Sequence, residues 1–262
     1  MPINTYPTSN GRVVSFPGSL GGVHQYPAAV SGGGFDPTSV SGLVGWWDAR
    51  YVNGKGVAQP SNGASISTWT DLSGLGNHAV QTTSGNRPAF TSTGPGLTWN
   101  TAAYMLPPLD DGTVLQLYAV VNPSGFRSDY NGIMGAVSGG APALRMQHTG
   151  TDLDFEKDGY NVLADPGYTM TTGTGYVLSA SYANPGTTRL RSAGADLVSG
   201  FSSTITFLTG HNVILGSGAA GQGTNGWQGS IQAIALYTSV HTTATCLQIE
   251  EYFGTAFGIA VA

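Results

Sequence analysis

The stretch from Thr113 to Val121 constrains this chain most. Leu115, Leu117, Ala119 and Val121 alternate there with Gln116 and Tyr118. A period of two puts the first set on one side of an extended strand and the second set on the other. Asn122-Pro123-Ser124-Gly125 then ends the run, because Pro fixes φ while Asn and Gly tolerate the conformations that tight turns require. The pattern recurs. Further strands are predicted over 132–137, 143–147, 152–156, 176–182, 188–192, 204–207, 212–216 and 229–237, with Gly-Gly, Asn-Pro-Gly and Gly-Thr-Gly turns between them. Each strand has an apolar face that needs a second layer to cover it, so a two-sheet antiparallel sandwich is the expected solution. Gly is 40 of 262 residues and only 9% are charged, which disfavours helix; 40% apolar content still supplies a core and excludes charge-rich disorder.

The formal net charge is -5, and the 9 basic residues are scattered. No cluster exists to neutralise several phosphates, so no nucleic-acid partner is expected. Cys246 is the single cysteine, which rules out an intrachain disulfide. The opening residues lack a basic stretch followed by an apolar core, so no signal peptide is expected. No apolar run is long enough for a membrane span. Synthesis in a cytoplasm and delivery by assembly or lysis is the reading that follows.

Residues 1–41 differ from the rest. Pro2, Pro7, Pro17, Pro27 and Pro37 block helix and central strand alike, so this segment reads as an extended arm. Val13, Val14, Phe16, Val23, Tyr26 and Phe35 give it apolar groups with which to anchor on a partner, and Gly32-Gly33-Gly34 would be its hinge. The main domain is expected over 42–262. Near its end Cys246, Ile249, Phe253, Ala256 and Phe257 recur at helical spacing, predicting one helix over about 242–257. Thr242, Thr243 or Thr245 can cap it, and Thr245 with Gln248 has capping-box spacing. Cys246 then reads as a core residue rather than a nucleophile.

Two segments carry a family resemblance. The first is Gly42–Val80, with Gly42-Leu43-Val44-Gly45-Trp46-Trp47-Asp48-Ala49 followed by Trp69-Thr70-Asp71-Leu72-Ser73-Gly74-Leu75-Gly76-Asn77-His78-Ala79. The second is Gly229-Ser230-Ile231-Gln232-Ala233-Ile234-Ala235-Leu236-Tyr237, continued by Ile249-Glu250-Glu251-Tyr252-Phe253-Gly254-Thr255-Ala256-Phe257-Gly258-Ile259. Together they resemble concanavalin A-like (laminin G-like) jelly-roll domains, most of all the version found in bacteriophage virion structural proteins. Many members carry an acid where this chain has Ala233, so any role of that acid is absent. The resemblance implies an all-β, two-sheet antiparallel jelly-roll sandwich with an extended N-terminal arm and one C-terminal helix. It also implies a non-enzymatic virion protein: a capsid decoration, head-fibre or tail-associated component. Its partners would be other virion proteins of capsid or tail, with host surface polysaccharide as a further ligand, and a homo-oligomer such as a trimer is the analogous state.

An enzyme is the competing reading. Asp152, Asp154, Glu156 and Asp158 alternate, so on a strand they share one face, with neighbours about 6–7 Å apart. Jelly-roll glycoside hydrolases carry a similar acidic strand, and a retaining pair needs about 5–5.5 Å. The simpler expectation places Leu153 and Phe155 toward the core and leaves the acids on a solvated face. No catalytic residue is therefore assigned. His24, His78, His148, His211 and His241 are scattered, without a nucleophile elbow. Lectins and laminin G domains often bind calcium. Asp110, Asp111, Asp129, Tyr130 and Asn131 offer loop oxygens, but no contiguous loop supplies the six to eight that calcium takes, so no metal or cofactor is expected. Trp46 and Trp47 fall on opposite faces of one strand, one toward the core and the other free to stack on a sugar or a protein. Asp129, Tyr130, Asn131 and Trp227 remain the weak ligand-binding candidates.

Overall fold

The computed structural model describes residues 5–7, 13–15, 35–100, 105–109, 114–126, 130–137, 144–149, 152–157, 161–164, 167–181, 187–202, 212–217 and 226–262. The chain divides into two compact units, 1–34 and 35–262. In the first unit β1 (Thr5–Pro7) pairs antiparallel with β2 (Val13–Ser15), Tyr6 opposite Val14.

The second unit begins its strands with β3 (Leu43–Asp48), β4 (Thr68–Trp69), β5 (Ala79–Val80), β6 (Ala89–Thr91), β7 (Gly96–Trp99) and β8 (Gln116–Pro123). There follow β9 (Tyr130–Val137), β10 (Leu144–Thr149), β11 (Asp152–Lys157), β12 (Asn161–Ala164), β13 (Tyr176–Ser181) and β14 (Thr187–Ser192). The last are β15 (Ala195–Ser202), β16 (Asn212–Leu215), β17 (Gly229–Tyr237) and the helix α1 (Thr243–Phe257). The expected strand over 204–207 lies outside the described residues.

The larger sheet runs β15-β14-β13-β8-β17-β7-β6, and the smaller runs β12-β11-β10-β9-β16. One edge of β17 meets β8 along its length. The other is shared, Gly229–Ile231 pairing with β7 and Ala233–Tyr237 with β3. A register shift between Ile231 and Ala233 marks the change, as an extra residue in one strand does. All pairings between these strands are antiparallel, which matches the expected two-sheet sandwich.

Alternation decides what each face buries. Leu117, Ala119 and Val121 of β8 join Leu178 of β13, Ile231 and Ile234 of β17, Leu153 of β11 and Val213 of β16 in the core between the sheets. Tyr118 and Val120 point the other way. They pack with Trp46, Ala235 and Tyr237 against Cys246, Ile249 and Phe253 of α1. The face that carries Gln116 and Tyr118 is therefore covered by the helix, and even Gln116 is only 1% exposed. The body has three layers: helix, large sheet, small sheet.

Two sequence expectations need correction here. The body begins at Phe35 rather than after residue 41. Phe35 sets its ring edge-on to Tyr252, and Tyr237 Oη donates to the Pro37 carbonyl at 3.1 Å, so Phe35 is taken by the sandwich and not by a partner. Trp46 and Trp47 do fall on opposite faces, yet both are fully buried, one in each core. Neither is a stacking platform. The helix lies where expected, with Thr242 as cap: its Oγ1 accepts from the Thr245 amide at 3.2 Å. Gly258, at φ 70, closes the other end in the left-handed conformation.

Candidate functional site

The residues that carry the family resemblance build the scaffold. Asp71, 6% exposed, accepts four hydrogen bonds: from the amides of Trp46 (3.0 Å), Ser73 (2.9 Å) and Asn77 (2.9 Å) and from Ser73 Oγ (2.6 Å). Asn77 Nδ2 donates in turn to the Val44 carbonyl at 2.7 Å, and His78 Nδ1 accepts from the Asp71 amide at 3.0 Å. Gly74 and Gly76, at φ 88 and 77, let the chain turn tightly enough for one carboxylate to reach all its donors. Asp48 is likewise committed. It caps a short turn by accepting the Arg50 amide, and it pairs with the Arg50 guanidinium at 2.6 Å.

Beneath α1 lies a buried polar network. Arg191 Nε and Nη2 donate to Glu250 at 2.9 and 3.1 Å, and Ser179 Oγ donates to the same carboxylate at 2.6 Å. Burial works against the Arg191 charge, but the hydrogen bonds to Glu250 prevail and hold its pKa above the usual range. Beside it, Tyr118 Oη lies 2.8 Å from His241 Nδ1 and 3.4 Å from Cys246 Sγ. Burial pulls the His241 pKa down to about 4 and pushes the Cys246 thiol up. A neutral thiol that is 1% exposed has neither the thiolate nor the access a nucleophile needs. Cys246 is a core residue, as its place on the helix predicted.

An open groove of about 430 Å³ lies on the helix-bearing side of the large sheet, beyond the end of α1. That volume lies in the range of small-molecule clefts, about 300–1,000 Å³. Its floor comes from register: Ser230 of β17 stands opposite Thr98 of β7 and Asn122 of β8. Thr91 Oγ1 and Thr98 Oγ1 lie 2.8 Å apart, and Gln232 Nε2 donates to the Pro95 carbonyl at 3.3 Å. Phe257 and Ile259, where the chain leaves the helix, form an apolar wall. These side chains are hydroxyls, amides and hydrocarbon; none of the lining residues ionises. The sequence reading missed them. Their signal was weak but present: Ser230 and Gln232 alternate with apolar neighbours in the closing strand, on the part of that face beyond the helix.

Among the described residues, none of those singled out from sequence as ligand-binding or catalytic candidates lines this groove. Trp227 is fully buried in the core between the sheets, so it is no ligand platform. Tyr130 and Asn131 open β9, opposite Thr149 and His148. Asp110, Asp111 and Asp129 lie outside the described residues, as do Phe16, Val23 and Tyr26 of the arm; Val13 and Val14 belong to β2. Of the acidic row, Asp152, Asp154 and Glu156 stand in β11 opposite Thr149, Gln147 and Arg145, and Asp158 lies outside the described residues. Leu153 between them is buried in the core, as expected. Among the described residues no three His, Cys, Asp or Glu side chains converge to hold a metal ion, and no helix is long and apolar enough to cross a membrane.

No protein-family model matches the chain, and no curated protein matches it. Solved structures do. A Trypanosoma rangeli sialidase in complex with sialic acid aligns over 80% of this chain at 14% identity and TM-score 0.60; the chain spans 33% of that protein. Domain 4 of AbnA, a GH43 extracellular arabinanase from Geobacillus stearothermophilus, in complex with arabinotriose, aligns over 80% of this chain and 97% of its own length, at 15% identity and TM-score 0.56. The binding domain of Paraclostridial Mosquitocidal Protein 1 aligns over 81% of this chain and 52% of that one, at 7% identity and TM-score 0.58. At such identity the likeness establishes the fold, a jelly-roll-like β-sandwich.

Proposed function

We propose that this protein is a non-enzymatic attachment module whose sandwich holds a glycan. The groove over Thr98, Asn122, Ser230 and Gln232 carries the reading: hydroxyls and amides on a rigid sheet, beside an apolar wall, suit a polyhydroxylated ligand. The fold is consistent with it, since one of the similar structures is an arabinanase domain in complex with arabinotriose. Catalysis is not part of the proposal, because the groove holds no acid–base pair. A screen of immobilised oligosaccharides tests the reading. Binding at millimolar concentration by at least one of them is expected; no binding to any removes it.

Delivery on a virus particle rests on a different observation, the resemblance of residues 42–80 and 229–259 to phage virion domains. In this reading residues 1–34 dock on capsid or tail proteins, as a homo-oligomer, and the sandwich projects outward. In a sedimented lysate of its source the protein then travels with particle-sized material, and a chain lacking residues 1–34, which leaves the sandwich whole, stays at the top. If the full chain also stays at the top, the virion reading fails and a free carbohydrate-binding module replaces it.

A further inference from the structure

We infer that the groove selects neutral saccharides and rejects acidic ones such as sialylated or uronic-acid-bearing chains. This rests on the glycan-binding reading above and adds the ligand class. The floor is a cross-strand row, Asn122–Ser230–Thr98, with Gln232 on the same face. Gly96, opposite Thr91, makes room in that floor for the Ser230 hydroxyl: a Cβ there would collide with Ser230 Oγ and lie 3.4 Å from Gln232 Cγ. Ser230 Oγ sits buried at this point with no hydrogen-bond partner among the described residues. Packed against Gly96, that oxygen shapes the floor, and the polar groups left to meet a ligand are those of Thr98, Asn122 and Gln232.

Charge then decides the class. A carboxylate brought into the groove meets hydroxyls and amides but no Lys, Arg or His among the lining residues. Removing an ion from water without a counter-ion costs more than neutral hydrogen bonds return. Arg50 touches the apolar wall, its guanidinium 5.0 Å from the centre of the Phe257 ring, but Asp48 holds that charge at 2.6 Å. The net charge of -5 adds a repulsive field at longer range. A neutral sugar avoids both penalties. It sets a C–H face on Phe257 and Ile259 and turns its hydroxyls to Thr98, Asn122 and Gln232.

The experiment titrates the full chain, by calorimetry or by chemical-shift changes, with lactose, maltotriose, cellotriose and arabinotriose, and with 3′-sialyllactose as the acidic counterpart of lactose. At least one neutral sugar is expected to bind, with 3′-sialyllactose weaker than lactose by roughly tenfold or more. Equal or tighter binding of the sialylated sugar overturns the inference and leaves glycan binding standing. If no sugar binds, the glycan reading itself falls. Three variants, each checked for native circular dichroism, assign the site. Thr98→Val and Asn122→Ala are expected to weaken neutral-sugar binding, and Gln232→Lys to bring 3′-sialyllactose up toward lactose. Unchanged affinities in all three place the site elsewhere and overturn the inference.

Discussion

Asp71 shows how much one side chain can organise. Its carboxylate gathers four donors from two stretches of chain and so fixes where β3 meets the glycine-rich turn after β4. Asp71→Asn removes one acceptor oxygen and turns an amide donor toward a backbone N–H. It is expected to lower stability by about 1–3 kcal/mol in urea unfolding, the range for a buried polar group left unpaired. A change below half of that would mean that the Asn77 side chain and His78 hold the turn without it. The turn itself was legible in the sequence, because Gly, Asn and Ser mark positive φ and local side-chain bonds. That Asp71 would be the buried centre was not. Its partner Trp46, and Val44 whose carbonyl accepts from Asn77, come from a strand more than twenty residues earlier, and a contact that distant leaves no local periodicity.

Among the elements, the helix was the easiest to place and the hardest to read in full. Its apolar stripe, its start near Thr242 and its stop before Gly258 follow from spacing and caps. Glu250 lies four residues beyond Cys246, on the same buried face. It is 0% exposed and finds Arg191 of β14. That pair ties α1 to the large sheet, and removing one partner leaves the other charge buried. Arg191→Met, which leaves the Glu250 charge buried, is expected to cost about 3–5 kcal/mol, and the double change Glu250→Leu with Arg191→Met less than the sum of the two single ones. Urea denaturation of the four proteins in the cycle checks this; additive losses would show that the two charges act independently. The tryptophan strand carries the same lesson. Alternation set Trp46 and Trp47 on opposite faces correctly, but only the presence of α1 makes both faces interior.

For the whole molecule, the buried histidine couples stability to pH. His241 has a pKa near 4 in the folded protein against an ordinary 6.5, because burial disfavours the imidazolium. The unfolded chain therefore binds a proton between those values that the folded protein refuses, so stability falls as pH drops from about 6.5 to about 4. The loss attributable to this group is about 2–3 kcal/mol, since each tenfold change in proton affinity is worth about 1.4 kcal/mol. Burial works against the charges of Asp36 and Asp196, but hydrogen bonds from Thr38 to the first and from Arg191 and Arg189 to the second hold both below the ordinary 3.8, so below that window they lose their own contribution as they protonate. Thermal melts from pH 7 to 4.5 check the first part, and His241→Asn is expected to flatten the slope. An unchanged slope in that variant would move the effect to other groups. The sequence by itself determined what depends on neighbours along the chain: the period of two in each strand, the turns, the single helix with its caps, and hence an all-β sandwich with one helix. Tertiary structure alone decided which faces are covered and where a ligand finds room. The groove draws Thr98, Asn122, Ser230 and Phe257 from four separate elements, and only the antiparallel register and the end of α1 bring them together. Local pattern encodes which way a side chain faces; what it faces is set by chain that arrives from far away.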